Sequence, residues 1–264
     1  MQPPVETISR PTEWLLSSPD TPGFFTVVSP ATGHCRVTSL FRLNLPAGQS
    51  HTLHDPDLEL SAAVIAGSLQ LRVEGQTASL DRLDSFYLPA GTAAQVRATS
   101  DLVLYLGGGP FEGEGRFFVR RFDVGLPIGA IHQVHGAPPY RRTVFMTLDQ
   151  DTPASRLITG ITIGDPGGWT SWPPHQHQRD LEEAYFYFDI PRPQFALHLS
   201  YREPGQLEAI HPVSSGSAVL IPRGYHPTVG MPGVRSSYFW VMVALRRESR
   251  RYDLAVPDPA LSAP

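Results

Sequence analysis

The chain contains no lysine: all 21 basic residues among its 264 are arginine. That absence excludes chemistry directly. A Schiff-base lysine, a lysine general base and a P-loop lysine are all unavailable, so a proton-abstracting group here is His, Glu, Asp, Tyr or a hydroxide held by a metal. Cysteine is nearly absent too. The single Cys35 has no intrachain disulfide partner, which fits a reducing cytoplasm. No apolar run approaches the ~20 residues that cross a bilayer, so no membrane partner is expected. The opening residues, Met1-Gln-Pro-Pro-Val-Glu-Thr7, lack the basic and apolar stretches of a secretory signal. Charge is scarce, at 17% of residues with a net charge of −4, and gives no basic surface for nucleic acid. Long helical periodicity is also missing; the short candidates are Pro11–Leu16 and Arg246–Tyr252.

Proline and glycine, by contrast, are plentiful, at 27 and 23 residues. They punctuate short apolar runs: Ser61–Ile65, Leu69–Val73, Leu102–Leu106, Ile158–Ile163, Phe195–Leu199, Ala218–Ile221 and Tyr238–Val243. Short runs at even spacing with turn residues between them predict an all-β sandwich or barrel. A hydrophobic content of 41% in a chain of this length suffices for one large or two small cores.

The most specific run is Pro174-His175-Gln-His177, followed by Glu183 and, much later, His226. Histidines at i and i+2 of a strand point the same way, because side chains alternate faces with period two. Paired imidazoles suit a borderline divalent metal such as Zn, Mn, Fe, Co or Ni. Glu183 heads an aromatic strand, Glu183-Ala-Tyr-Phe-Tyr-Phe188, and His226 follows the strand-and-turn run Gly216–Tyr225. Three imidazoles and a carboxylate leave coordination positions open for a substrate.

The pattern occurs twice. In the first half His51 and His54 precede Glu59, a strand and Pro89-Ala-Gly91; in the second His175 and His177 precede Glu183, a strand and Pro222-Arg-Gly224. The halves differ in content. His51 and His54 are three apart and face opposite sides of one strand, and Gln95 stands where a histidine would follow the turn. The first half is therefore expected to be a scaffold without a working metal site. The Gly107-Gly-Gly-Pro and Gly125-Leu-Pro-Ile-Gly runs interrupt the repeat and place the linker near 110–135.

These residues together resemble the cupin superfamily, whose pattern is Gly, His-x-His, Glu, then a Pro-x-Gly turn and a histidine. The resemblance implies two antiparallel jelly-roll β-barrels fused in one chain, a bicupin, with a degenerate barrel over 1–125 and a metal-binding barrel over 126–264. Two spacings depart from the general pattern: five residues separate His177 from Glu183, and His226 follows its turn one residue early. Both departures match a narrower resemblance. Ser171-Trp-Pro-Pro-His-Gln-His177, Leu181-Glu-Glu-Ala-Tyr-Phe-Tyr187 and Val219–Pro227 are similar to the two-cupin sugar-acid isomerases. The nearest branch is the 5-deoxyglucuronate isomerase family of inositol catabolism, and the 5-keto-4-deoxyuronate isomerase family of pectin breakdown is its relative. The likeness is strong over 130–264 and weak before it.

The resemblance implies an aldose–ketose isomerisation of a small sugar acid in the cytoplasm, with His175, His177, Glu183 and His226 holding a divalent metal, zinc first. Aligning the Glu-Ala-Tyr-Phe-Tyr run assigns Glu183 to the metal; the general spacing would assign Glu182, and both stand as candidates. Tyr187, in phase with Glu183, is the candidate proton-handling group beside Glu183 itself. Arg142 and Arg223 are candidates for the substrate carboxylate, which a planar guanidinium pairs with bidentately, and Trp172 for the pocket mouth. His198 and His211 read as surface or satisfied core histidines. Homo-oligomerisation is open. The same ligand set also serves cupin dioxygenases, which need Fe or Cu and consume O₂, and non-catalytic sugar-binding cupins.

Overall fold

The computed structural model describes residues 9–32 and 34–261; the Met1–Thr7 segment read above lies outside them. Strands dominate. The two short segments with helical character contain 3-10 turns, Pro11–Glu13 and Arg247–Ser249, and Leu15–Ser17 is a strand rather than a continued helix.

In the first half, strands Phe118–Arg120, Ser85–Leu88, Leu58–Ala66, Leu102–Pro110, Ser39–Leu45 and Gly23–Val28 form one sheet in that spatial order. It shares a core with a sheet of Ser50–Leu53, Ala94–Ala98, Leu69–Val73 and Gln76–Leu80. In the second half the corresponding large sheet runs Leu15–Ser17, Ser217–Ile221, Leu181–Tyr187, Ser237–Ala244, Leu157–Gly164, Arg142–Leu148 and His132–His135. It faces a smaller sheet of Trp169–Thr170, Thr228–Gly230, Ala196–Ser200 and Ala209–Val213. The expected all-β bicupin of two antiparallel barrels is what the chain forms.

The large sheets pack back to back, so their strands are buried on both faces. Alternation then sorts the Leu181–Tyr187 strand. Tyr185 and Tyr187 join the core inside the second barrel, while Ala184 and Phe186 join the core between the barrels. The Gly107–Pro110 run, expected in the linker, instead ends the central strand of the first sheet. Its glycines are needed there: a Cβ on Gly107 would sit 2.5 Å from Val241 of the opposing sheet. Close sheet contact, rather than chain flexibility, explains that glycine run.

Candidate metal centre

His175 lies in a two-residue strand paired with Val256–Pro257, His177 lies just beyond it, and His226 follows the turn that ends the Ser217–Ile221 strand. These separate segments bring one nitrogen from each imidazole within 4.8 Å of the others. Among the described residues this is the one group of three or more His, Cys, Asp or Glu side chains so converged. Glu183 joins it: its Oε2 is 2.9 Å from His177 Nε2 and 3.0 Å from His226 Nε2.

The backbone sets the tautomers. His175 Nδ1 lies 2.9 Å from the Pro173 carbonyl, His177 Nδ1 3.2 Å from that of Leu181, and His226 Nδ1 3.1 Å from that of Gly224. A carbonyl only accepts, so each imidazole donates through Nδ1–H, which leaves Nε2 as a bare lone pair. Three lone pairs and a carboxylate, all facing inward, suit a shared cation. His226 Nε2 is buried and makes no hydrogen bond despite its closeness to Glu183. The donor set therefore fits a divalent metal, with the outer nitrogens anchored as metal-binding histidines usually are.

Electrostatics agree. Burial, followed by the neighbouring His226 and His177, pushes the His175 pKa down to about 3, which keeps it a neutral ligand. Burial alone would raise the Glu183 pKa; positive charge at His177 and then His226 pulls it well below the ordinary carboxylate range, and with both Nε2 atoms bare a shared cation fills that role.

Glu182 points the other way, into the contact between the barrels, where it accepts from the backbone N–H groups of Arg36, Val37 and Thr38. Tyr187 is fully buried inside the barrel, its hydroxyl 2.7 Å from His198 Nδ1 and 3.3 Å from Thr228 Oγ1. Arg142 is half-buried at the head of its strand, in phase with the inward Val144 and Met146. Burial raises the Tyr238 pKa to about 12, against the lowering influence of Thr170 and of the Arg142 charge. Arg223, in the turn before His226, acts on Glu208, a carboxylate already held down by Arg202. Trp172 is half-buried with its ring 5.1 Å from Trp169.

Two further groups lie inside this barrel. The Tyr185 ring lies 5.8 Å from His226 and stacks 4.1 Å from Tyr238, and its hydroxyl donates to Ser171 Oγ at 3.3 Å. His198 and His211 are neither on the surface nor satisfied: both are buried inside the second barrel with unpartnered Nε2 atoms. In the Ala196–Ser200 strand it is Ala196, His198 and Ser200 that are buried and the leucines that are half-exposed. In this strand and its neighbour Ala209–Val213 the histidines take the inward phase. Period two from Glu183 places Tyr185 inside, where the structure has it.

Comparison with known proteins agrees with this geometry. A 5-deoxy-glucuronate isomerase of Geobacillus kaustophilus is 30% identical over 168 residues, 60% of this chain and 58% of that protein's length. The Bacillus subtilis (strain 168) enzyme of the same name is 28% identical over 238 residues, 83% of this chain and 84% of the relative. Among solved structures, an IolB-like protein from Salmonella typhimurium LT2 superposes with a TM-score of 0.84 at 24% identity, over 95% of this chain and 98% of that one. A mutant of the Bacillus subtilis oxalate decarboxylase OxdC does so at 0.62 and 13% identity, over 92% and 82% of the two chains; both share the fold. The KduI/IolB family model matches residues 15–256, and the chain belongs to that family.

Proposed function

We propose that the protein is a metal-dependent isomerase that converts 5-deoxy-D-glucuronate to 2-deoxy-5-keto-D-gluconate in myo-inositol catabolism. The observation that carries this reading is the convergence of His175, His177, Glu183 and His226 inside one barrel of a KduI/IolB-family chain. The reaction moves hydrogen from C2 to C1 of the sugar and a proton from the C2 hydroxyl to the C1 oxygen, with no net oxidation. A divalent metal, zinc first among Zn, Mn, Fe, Co and Ni, supplies Lewis-acid polarisation of the carbonyl.

The chain's own residues do the rest. The Nδ1 anchors of the three histidines fix the donor set before substrate arrives, which is what preorganisation requires. Arg142, reaching toward the interior from its strand head, pairs with the substrate carboxylate; Arg223, beside Glu208, is the weaker candidate. Trp172 lines the mouth. Burial raises the pKa of Tyr187 and of Tyr185 well above the ordinary range, so both stay protonated; Tyr185, beside His226, is the hydroxyl nearest the reacting carbons, and Tyr187 acts behind it through His198. The first barrel acts as a scaffold.

The test is conversion of 5-deoxy-D-glucuronate by purified protein, with and without EDTA, followed by NMR in D₂O. Metal-dependent conversion without oxygen uptake is expected. Failure of the metal-loaded protein to convert it sinks the assignment, and the pectin-derived keto-uronate and O₂ consumption then separate the other cupin activities.

A further inference from the structure

The second barrel holds a set of buried polar atoms that neither the fold nor the metal centre uses. His198 Nε2, Ser200 Oγ and His211 Nε2 are all buried and lack a hydrogen-bond partner. They belong to neighbouring strands: His198 and His211 face each other in register, with ring centroids 6.1 Å apart, and Ser200 is in phase with His198. Tyr185 bridges this set to the metal centre, its ring 5.5 Å from His198 and 5.8 Å from His226. Native interiors leave few polar groups unpaired, and a cluster of them marks a place where water or a ligand makes the missing bonds.

The hydrogen-bond chain around His198 has a direction. The Tyr187 hydroxyl donates to Thr228 Oγ1 at 3.3 Å. Its oxygen is then free to accept from His198 Nδ1 at 2.7 Å. The proton of His198 thus sits on Nδ1 and the buried Nε2 is a bare acceptor. On the facing strand the His211 Nε2 is likewise buried and without a partner. Neutral acceptors beside a hydroxyl match the O–H groups of a polyol. They repel a carboxylate, whose partner in this barrel is Arg142.

We infer that His198 is a specificity-determining residue: its Nε2 accepts a hydrogen bond from a secondary hydroxyl of the sugar acid, remote from the carboxylate, while Tyr187 is a positioning residue that fixes the His198 ring and tautomer. This rests on the sugar-acid isomerase reading above and names the group that recognises the sugar's hydroxyl pattern. A site built to pair a buried substrate hydroxyl discriminates strongly against analogues lacking it.

The experiment compares wild type, His198→Phe, His198→Gln and Tyr187→Phe as full-length metal-loaded proteins. Readouts are metal stoichiometry, thermal midpoint, kcat and KM for 5-deoxy-D-glucuronate, and the ¹⁵N imidazole spectrum with and without that sugar. The expected result is a loss of roughly 10–100-fold in kcat/KM for His198→Phe at unchanged metal content. His198→Gln, which keeps an acceptor, recovers part of it, and saturating sugar shifts the wild-type His198 Nε2 resonance. Turnover of His198→Phe within twofold of wild type, or a resonance unmoved by sugar in a protein that converts it, overturns the inference and leaves the atoms to water. If wild type converts nothing, the isomerase reading fails separately. A sugar-induced shift then still supports the pocket, and its absence overturns it.

Discussion

Glu59 and Glu182 hold the two barrels together by the same device run in opposite directions. Glu182, on the Leu181–Tyr187 strand of the second barrel, accepts from the backbone N–H groups of Arg36, Val37 and Thr38 at 2.8, 3.0 and 3.3 Å, just before the first barrel's Ser39–Leu45 strand. Glu59, on the equivalent strand of the first barrel, accepts from Ser155, Arg156 and Leu157 at 2.8, 2.5 and 2.8 Å, where the second barrel's Leu157–Gly164 strand begins. Both carboxylates are essentially inaccessible. The Tyr87 hydroxyl completes the Glu59 set and the Thr38 hydroxyl the Glu182 set. Without the carboxylate, three consecutive N–H groups, part-buried or buried at the barrel contact, would lose their partner.

Replacing either carboxylate by glutamine turns one accepting oxygen into a donor that faces N–H groups. Glu59→Gln and Glu182→Gln are each expected to cost about 2–4 kcal/mol, on the scale of lost charged hydrogen bonds with a buried donor left unpaired. The two clasps share no partners, so the double variant is expected to lose about the sum. Chemical denaturation measures this; a single variant within about 0.5 kcal/mol of wild type would show the clasps to be redundant with the apolar contact between the barrels.

Adjacent glutamates give a sharper contrast. Glu182→Gln should leave metal stoichiometry intact while lowering stability. Glu183→Gln should lower metal affinity by at least the roughly 10–100-fold that even outer-shell losses cost. Metal analysis after dialysis against a weak chelator, run beside thermal melts, separates them. Metal loss in Glu182→Gln with Glu183→Gln unaffected would reverse the assignment of the ligand.

Much of the site was legible because it rests on period two and local turns. His175 and His177 converge, and the Glu183 run selects its face, since Ala184 and Phe186 contribute to the core between the barrels. What was hidden depends on contacts far apart in the chain. Glu59 reads as the counterpart of a metal ligand, yet it lies in the clasp, because only the packed second barrel supplies the N–H groups it meets. Gly107 reads as a linker until Val241 is set against it. The Leu15–Ser17 strand pairs with Ser217–Val219, a pairing no local pattern announces.

Cys35 gives a test of the barrel contact. It is buried in the core between the barrels, its Sγ donates to the Thr38 carbonyl at 3.1 Å, and burial, then the nearby Glu182 charge, raises its pKa to about 12. The thiolate is the reactive form. Native protein at pH 8 is therefore expected to resist a thiol-labelling reagent, and labelling should appear only as the barrels separate or unfold. Mass spectrometry after timed labelling checks it, and Glu182→Gln should label faster than wild type because its clasp is weakened. Stoichiometric labelling of native wild type within minutes would contradict the packing.

Acid should destabilise the fold through its buried imidazoles. Burial lowers the pKa of His198 far below, and that of His211 below, the ordinary value of 6.5. Above pH 6.5 these groups are neutral in both folded and unfolded chains, and their contribution to stability is complete. As the pH falls from there toward the folded values, the unfolded chain takes up protons that the folded one refuses. Unfolding free energy then decreases by up to about 1.4 kcal/mol per pH unit for each group in its window. His51 and His135, also lowered by burial, act in the same direction. Denaturation of the metal-free protein between pH 7.5 and pH 5 measures the slope, and His211→Gln, which removes one such group, should show a shallower one. Equal slopes in the two proteins, or stability that rises on acidification, would mean that the barrel interior already carries a proton at neutral pH.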